Sequence, residues 1–185
     1  MKVISGFLKG RIIKGYNIEG TRPTMDRVKE SLFASINGYI KGSLVLDLFA
    51  GSGSLGIEAI SNGANNCFFV DNNRECIKVI SDNVNTFNIR DKVTIINKDY
   101  RQALRYFRDN NIKFDLILVD PPYKYMISKE ILDLINEYGL INNGGIIVLE
   151  YSLETIDNVG DEYLLLKSKK YGDKSISIYK FVKNN

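Results

Sequence analysis

The stretch that decides the fold is LVLDLFAGSGSLGIEAIS, which runs from Leu44 to Ser61. It opens as a short apolar run, breaks at Gly51 and Gly53, and resumes with apolar residues at helical spacing. This order predicts a buried strand, a tight glycine turn and a helix. Glycines allow the backbone to turn sharply, and they leave room for a ligand because they carry no Cβ.

One acidic residue narrows what this turn can bind. Gly51, Gly53 and Gly56 spell G-x-G-x-x-G, a pattern of dinucleotide-binding loops that is a weak signal when it stands alone. Asp47 places a carboxylate near the end of the strand, where it would repel a pyrophosphate and attract an ammonium group. The alternative is that Asp47 only caps a loop in some other nucleotide-binding fold.

Strand and helix patterns alternate through the rest of the chain. They are predicted, in chain order, at 66–70, 75–87, 93–96, 101–108, 114–119, 128–138 and 145–151. Ser128 is the expected N-cap of the last helix. Residues 162–166 and 175–182 predict an antiparallel pair around Gly172. The pattern predicts an α/β fold, a mostly parallel sheet with helices on both faces and an antiparallel C-terminal strand.

The first 40 residues predict a small extension of this domain. Two β-prone pieces, at 3–4 and 11–13, are predicted to pair as a hairpin. A helix follows, for which Thr24 is the expected N-cap and Val28 and Leu32 begin the apolar face. We therefore expect one compact unit in which a hairpin and a helix, within residues 1–40, precede the main domain at 41–185.

Composition excludes several kinds of protein. With 185 residues, of which 44% are hydrophobic and 25% charged, the chain fits one globular domain. No apolar run approaches the roughly 20 residues that cross a bilayer, so no membrane association is expected. Cys67 lies in an apolar strand, which predicts a buried thiol. The chain has no histidine, which excludes imidazole bases, and we expect no metal site.

The two ends of the chain are basic and the centre is acidic. Residues 1–29 carry seven basic and two acidic side chains, and residues 167–185 carry six and one, so each segment has a net charge of +5 against +3 for the whole chain. This asymmetry favours a polyanion held by the ends and a cationic or neutral small ligand held at the centre. A merely solvated lysine-rich surface is the alternative.

Acidic residues also end the two strands that follow the glycine turn. Asp71 lies about 20 residues beyond the turn, where a carboxylate can accept both hydroxyls of a ribose. Asp99 follows the next strand, where it can accept an adenine amino group, with Tyr100 and Asn72 lining the ring. Loop capping is the alternative for each residue. As an ordered set with Asp47, they indicate a nucleoside site at one edge of the sheet.

Asp120-Pro121-Pro122-Tyr123 is the most diagnostic stretch of the chain. The two prolines stiffen the turn after a buried strand and remove two N–H donors. The Asp120 carboxylate and the Pro121 carbonyl can then accept both hydrogens of an exocyclic amine, while the Tyr123 ring stacks on the attached base. The alternative is a turn that only ends the strand.

Two of these motifs resemble those of class I methyltransferases. Phe49-Ala50-Gly51-Ser52-Gly53 is similar to their S-adenosylmethionine loop, and residues 120–123 resemble the [D/N]-P-P-[Y/F/W] motif of amino-methyltransferases. The resemblance implies a Rossmann-like class I methyltransferase fold, with S-adenosylmethionine as donor and S-adenosylhomocysteine as product. The cofactor-binding residues that it implies are Asp47, Phe49, Ala50, Gly51, Ser52, Gly53, Leu55, Gly56, Asp71, Asn72, Asp99 and Tyr100.

Further motifs resemble the RsmD family, and together they span nearly the whole chain. They are Arg22-Pro23-Thr24, Asp26-Arg27-Val28-Lys29-Glu30, Leu32-Phe33, Lys170-Tyr171-Gly172 and Ile178-Tyr179. That family methylates the guanine N2 amine of one nucleotide in bacterial 16S ribosomal RNA. One departure is Asp71, where the family pattern leads us to expect a glutamate.

The RsmD resemblance implies roles for particular residues. Asp120, Pro121, Pro122 and Tyr123 are then catalytic, and the substrate is bordered by Arg11, Arg22, Thr24 and Arg27. It also implies that residues 1–40 contact RNA and that residues 41–185 form the catalytic domain. The expected partner is the 16S RNA of the small ribosomal subunit, and we expect a cytoplasmic monomer.

Three other functions remain open at this point. A DNA adenine-N6 methyltransferase can use the same Asp-Pro-Pro-Tyr chemistry, although the chain has no obvious separate target-recognition domain. An NAD-dependent oxidoreductase is disfavoured by Asp47. A non-catalytic module that binds S-adenosylmethionine and RNA is disfavoured by the intact set from Asp120 to Tyr123.

Overall fold

A computed structural model describes residues 1–15, 23–122, 127–152 and 159–183, with the side chains of the first helix described from residue 26. The strands are β1 (Leu44–Leu48), β2 (Asn66–Asp71), β3 (Val93–Asn97), β4 (Phe114–Val119), β5 (Ile141–Ser152), β6 (Tyr163–Tyr171) and β7 (Lys174–Phe181). The helices are α1 (Pro23–Ile36), α2 (Ser54–Ser61), α3 (Arg74–Thr86), α4 (Tyr100–Asp109) and α5 (Ser128–Glu137), with short 3₁₀ turns at Asn37–Tyr39 and Arg90–Lys92.

The strands form one mixed sheet in the order β3-β2-β1-β4-β5-β7-β6. Strands β1 to β5 run parallel, and β7 lies antiparallel between β5 and β6. The chain moves outward from β1 to β3 and then returns to the other side of β1 with β4. Open α/β sheets bind ligands at such a reversal, outside the carboxyl ends of the strands. Asp47 and Asp120 lie there, because Leu48 pairs with Val119.

Each face of the sheet is covered by helices. Buried residues of α1, α2 and α3 share one apolar cluster with Val45 and Leu116, and buried residues of α4 and α5 share a second cluster with Leu46 and Ile117. Neighbouring residues of β1 and β4 thus point to opposite faces, as strand geometry requires. The prediction of a mostly parallel sheet with helices on both faces and an antiparallel pair near the C-terminus is confirmed.

The N-terminal segment forms a shorter hairpin than predicted. Its two pieces pair through one antiparallel bridge, between Lys2 and Ile12, which backbone hydrogen bonds of 2.9 and 3.0 Å flank on both sides. Beyond this bridge the backbone N–H groups of Ile4 and Ser5 donate to the Glu58 carboxylate of α2, at 2.9 and 2.8 Å. These contacts fix the short hairpin to the main domain.

Two predicted helix starts were also wrong by one or two residues. Helix α1 begins at Pro23, so Thr24 lies in its first turn and is not the N-cap. Proline suits the first helical position, because the N–H that it lacks would have no partner within the helix. Helix α5 begins at Ser128 itself and is preceded by Ile127, which makes no side-chain cap.

Two further predictions concern single features of the sequence. Cys67 and Cys76 are both buried free thiols, as the apolar surroundings of Cys67 predicted. Burial raises the pKa of the Cys67 thiol, so it stays protonated. Among the helices in the described ranges, none has the length and hydropathy to cross a membrane.

Candidate active site

A cavity of about 500 Å³ opens at the reversal of strand order. One wall is the glycine turn after β1, from Phe49 to Ser52, together with Leu55. A second wall is formed by Asp120 after β4, by Glu150 of β5 and by the β6–β7 turn. The third wall is helix α1 with Met1. The volume is typical of small-molecule sites, which range from about 300 to 1,000 Å³.

The glycine turn has the backbone geometry that its sequence predicts. Gly51 and Gly53 have φ values of 56° and 78°, in the left-handed region that side chains rarely adopt. A Cβ built on Gly51 would meet no protein atom within 4 Å, so this side of the turn is open to the cavity. The amides of Phe49 and Ala50 both donate to the Val70 carbonyl, at 3.1 and 2.9 Å, which fixes the turn to β2.

The third glycine of the motif serves packing. A Cβ on Gly56 would lie 2.3 Å from Cε1 of Phe69, so only glycine lets α2 approach β2 this closely. The same approach lets the Gly56 amide donate to Oδ2 of Asp47 at 2.8 Å. Asp47 lines the cavity although its exposed fraction is 2%, and burial raises its pKa to about 8 against the opposing effect of the Gly56 hydrogen bond.

The two acids that end β2 and β3 have different surroundings. Asp71 accepts from the amide of Gly51 at 2.9 Å, and its other oxygen accepts from the amide of Asn73 at 2.9 Å. It therefore braces the glycine turn, and Asn72 beside it is exposed. Asp99 caps α4 by accepting from the amide of Arg101 at 2.9 Å, which is the alternative considered for this residue.

Tyr100 supports the cavity wall from behind. Its ring centroid lies 5.4 Å from that of Phe49, and its hydroxyl donates to Glu130 of α5 at 3.1 Å. Burial and the Glu130 carboxylate raise the pKa of Tyr100 to about 12. The residue is buried and does not line the cavity itself, so the contact with Phe49 is its connection to the site.

Asp120 lines the opposite wall of the cavity. Pro121, which follows it, is buried, and Pro122 is exposed. Tyr123 lies outside the described residues. Burial raises the pKa of Asp120 to about 6, while the positive charge of Lys174 opposes this rise. The carboxyl is therefore ionised at neutral pH and can accept hydrogen bonds.

A lysine–glutamate pair that the sequence did not predict lies beside Asp120. Glu150 follows Leu149, which pairs with Val119, so Glu150 of β5 lies beside Asp120, the residue that follows β4. The Lys174 ammonium lies 2.7 Å from the Glu150 carboxylate, and both residues line the cavity. Burial raises the pKa of Glu150, and the nearby charge of Asp120 raises it further. An available signal was that Glu150 ends the apolar run of β5, as Asp71 does in β2.

A second missed pair lies under the third wall. The Lys29 ammonium of α1 lies 3.1 Å from the Glu58 carboxylate of α2, with 4% and 0% of the two side chains exposed. Lys29 also donates to the Lys2 carbonyl and to the hydroxyl of Ser54, at 2.7 and 3.1 Å. Glu58 stands on an apolar helix, which was the available signal for a buried partner.

The four predicted substrate residues are placed differently. Arg27 is exposed on α1, whose Val28, Lys29 and Leu32 line the cavity. Thr24 lies in the first turn of the same helix, and Arg22 lies outside the described residues. Arg11 is directed to α3, where its guanidinium donates to the Thr86 carbonyl at 2.8 Å and stacks on Phe87 at 4.8 Å, so the structure does not bring Arg11 to the cavity.

The sheet order, the glycine turn with its buried acid and the Asp-Pro-Pro turn define a class I methyltransferase with a Rossmann-like fold. Two solved structures are similar over 98% of both chains. One is a candidate methyltransferase of Escherichia coli, yhhF, at 26% identity and a TM-score of 0.86. The other is a candidate methylase of Haemophilus influenzae, HI0767, at 28% identity and a TM-score of 0.82.

The chain belongs to the family described as Conserved hypothetical protein 95, whose model matches residues 1–180. It is 40% identical to a candidate rRNA methyltransferase of Bacillus subtilis, YlbH, over 97% of this chain and 98% of the relative. It is 32% identical to ribosomal RNA small subunit methyltransferase D of Haemophilus influenzae, over 97% of this chain and 93% of that protein. The resemblance to the RsmD family is confirmed.

Proposed function

We propose that this protein transfers a methyl group from S-adenosylmethionine to the exocyclic N2 amine of a guanine in the 16S RNA of the small ribosomal subunit. The observation that carries the proposal is that the glycine turn, the buried Asp47 and the Asp120 carboxylate border one cavity. The names of the relatives support ribosomal RNA as the substrate class.

The wall formed by the glycine turn fits the cofactor. S-adenosylmethionine carries an ammonium group and a sulfonium, and the Asp47 carboxyl, which burial keeps largely protonated in the free protein, would ionise when such positive charge binds beside it. The open side of Gly51 leaves space for a ligand against the backbone. Asp71, at the next strand end, would hold the ribose, and Asn72 and Asp99 border the neighbouring part of the sheet edge.

When bound, S-adenosylmethionine supplies a methyl group whose C–S bond breaks as the N–C bond forms, with the electron pair going to sulfur. Asp120 and the Pro121 carbonyl accept the two hydrogens of the amine and thereby orient its lone pair. Tyr123 stacks on the base, which must leave its helix to reach the cavity. Asp120, ionised at neutral pH, takes the released proton or passes it to water.

RNA would approach along helix α1 and strand β6. The Tyr171 hydroxyl contacts the Ser31 hydroxyl at 3.2 Å, and the Lys167 ammonium donates to the Ser35 hydroxyl at 2.7 Å, so β6 lies against α1 next to the cavity. Lys169 and Lys170 on β6 and Arg27 on α1 are exposed cations beside it, suited to phosphates. In this proposal residues 1–40 form the RNA-contacting extension, residues 41–185 the catalytic domain, and the enzyme is a cytoplasmic monomer.

The proposal is tested by methyl transfer from labelled S-adenosylmethionine to small ribosomal subunits, naked 16S RNA and duplex DNA. The product nucleoside is identified after digestion. We expect N2-methylguanosine from subunits or RNA. Formation of N6-methyladenine in DNA would show that the protein is a DNA adenine methyltransferase instead. Binding of the donor without any methylated product would show that it is a non-catalytic module.

Asp120→Ala tests the catalytic assignment in the same assay. We expect kcat to fall at least about 100-fold, because the amine loses the acceptor that orients it. Binding of the donor should persist. Asp133→Asn, in the exposed Lys129–Asp133 pair of α5, is the matched control and should leave kcat unchanged. Undiminished methylation by Asp120→Ala would refute the role of Asp120.

A further inference from the structure

We propose that Glu150 and Lys174 read the edge of the target base that Asp120 holds and thereby select guanine. The inference rests on the proposed function, because it assumes that the amine at Asp120 is the N2 amine. It assigns the choice of base to two residues of β5 and β7, neither of which lies in the glycine turn or the Asp-Pro-Pro-Tyr motif.

The sheet places the three charged groups in one row. Val119 pairs with Leu149, so Asp120, which follows β4, lies beside Glu150, which is two residues before the end of β5. Strand β7 returns antiparallel to β5, with Ser152 opposite Lys174, which brings the ammonium to 2.7 Å from the Glu150 carboxylate. All three residues line the cavity. Across the sheet the residues therefore follow in the order Asp120, Glu150 and Lys174, and the positive charge of Lys174 also acts on Asp120.

The exposure of the pair leaves it accessible from the cavity. The exposed fractions of the Lys174 and Glu150 side chains are 40% and 16%, compared with 4% and 0% in the Lys29–Glu58 pair. The Lys174 ammonium has three donors, and a carboxylate has about four acceptor positions, so each group can bind a ligand while it keeps its ionic partner. A salt bridge at this distance also fixes both groups before the base arrives.

The row matches the Watson–Crick edge of guanine. That edge presents, in order, the N2 amine, the N1–H donor and the O6 acceptor. With the amine on Asp120, the N1–H group donates to Glu150 and O6 accepts from Lys174. Adenine and cytosine carry a ring nitrogen lone pair next to their amine, which would face the Glu150 carboxylate. Bases on their unpaired edges are read by such hydrogen bonds in single-stranded RNA.

The Glu150 carboxylate makes this discrimination strong. Sites that hydrogen-bond a particular N–H or O–H group reject analogues that lack it by large factors, because the polar group of the site then gains no bond in return for the water that it gives up. Only 16% of the Glu150 side chain is exposed, and the Lys174 ammonium at 2.7 Å holds it as a carboxylate although burial and the charge of Asp120 raise its pKa. A base that presents a lone pair to Glu150 gains no hydrogen bond there, and the carboxylate repels that lone pair.

The test uses 2-aminopurine, which keeps the N2 amine but has a lone pair at N1 and no O6. A synthetic segment carries guanine or 2-aminopurine at the target position and is ligated into 16S RNA, which is offered free and assembled into subunits. For the wild-type enzyme, we expect kcat/KM for guanine to exceed that for 2-aminopurine at least about 100-fold.

Two variants separate base reading from a structural role. Glu150→Gln offers an amide N–H to the N1 lone pair of 2-aminopurine, and Lys174→Met removes the donor to O6. We expect each to reduce the guanine preference to below about 10-fold, whereas Lys129→Met, in an exposed pair on α5, should retain it. A structural role would lower both rates without changing their ratio.

The outcomes distinguish this inference from the proposed function. N2-methylguanosine formation with equal rates on the two bases in the wild-type enzyme would overturn the roles of Glu150 and Lys174 and leave the proposed function intact. A guanine preference that persists in both variants would do the same. No N2-methylguanosine from any guanine substrate would overturn both.

Discussion

Two lysine–glutamate pairs lie at the same cavity, one in its open wall and one beneath helix α1, and they differ in exposure. Lys29 and Glu58 lie 3.1 Å apart in a nearly sealed position, whereas Lys174 and Glu150 lie 2.7 Å apart at an open wall. The shorter distance belongs to the more exposed pair. Distance alone therefore does not show which pair maintains the fold and which pair is available to a ligand.

The partners of each pair explain the difference. Glu58 accepts from the amides of Ile4 and Ser5 and from the Ser5 hydroxyl, so its oxygens bind the N-terminal segment. Burial lowers the pKa of Lys29, while the charge of Glu58 opposes this effect and keeps the pair ionic. Breaking such a pair costs far more than breaking an exposed one, because it leaves a charge in a low dielectric.

The largest effect is expected from Glu58→Gln. The amide cannot neutralise Lys29, and it has fewer acceptor positions for the N-terminal amides, so the free energy of unfolding should fall by about 3–5 kcal/mol. Urea unfolding measures the change. Asp133→Asn, in an exposed pair, is the control and should change it by less than about 0.5 kcal/mol. A loss below about 1 kcal/mol for Glu58→Gln would contradict the structural role of the buried pair.

Asp47→Asn differs from Glu58→Gln, because it removes a buried ionisable group and does not leave a charged lysine without its partner. The folded pKa of about 8 lies above the ordinary value of 3.8, so the folded state binds the proton more tightly and stability is lost as pH rises through this window. The variant should therefore be more stable by about 1–3 kcal/mol at pH 8, because its amide oxygen still accepts from Gly56.

The gain should shrink as pH falls toward 4, because the unfolded carboxyl, with its ordinary pKa of 3.8, then begins to bind the proton that the folded carboxyl already holds. Unfolding at pH 5 and pH 8 measures this trend, and an equal gain at the two values would argue against a titrating Asp47. The same variant should bind S-adenosylmethionine more weakly, which calorimetry measures. Stability and ligand binding are thus expected to change in opposite directions at this residue.

Lys174→Met should have a small effect on stability despite its short salt bridge. The ammonium is partly exposed, and such pairs contribute about 0–1 kcal/mol, so we expect a change within about 1 kcal/mol in either direction. Urea unfolding of Lys174→Met and Glu58→Gln under the same conditions compares the two changes in the free energy of unfolding directly. A loss as large as that of the buried pair would show that Lys174 has a structural role too.

The smallest effect is expected at the contact between α1 and β6. Tyr171→Phe keeps the ring and removes the hydroxyl that lies 3.2 Å from the Ser31 hydroxyl, so the free energy of unfolding should fall by about 0.5–1 kcal/mol. Ser31→Ala and the double variant complete a mutant cycle. Fully additive effects would mean that the two hydroxyls do not interact.

The parts of the molecule that local sequence determines were predictable. The strand, turn and helix around Gly51 follow from one continuous stretch, and the acids that end β1, β2 and β4 could be placed at one sheet edge from chain order. The predicted roles of individual residues in binding remain predictions. Tertiary contact limits the hairpin at the N-terminus, where the Glu58 carboxylate accepts from the amides of Ile4 and Ser5.

The two ion pairs could not be predicted because they depend on contacts between distant segments. Lys174 reaches Glu150 through the antiparallel register of β5 and β7, in which Glu150 lies opposite Ile176 and Ser152 opposite Lys174. Lys29 reaches Glu58 only after α1 and α2 pack on the same face of the sheet. A sequence pattern contains the residues of such pairs but not the register that joins them.

The cavity wall uses residues from both ends of the chain, since Met1 and Ile176 line the same space. A protein emerges from the ribosome N-terminus first, at about 5–20 residues per second. The N-terminal segment and α1 therefore cannot complete the cavity until β7 has been synthesised and has folded. We expect a growing chain to acquire its ligand site only after β7 has left the ribosome, so a nascent chain that lacks β7 should not bind the cofactor.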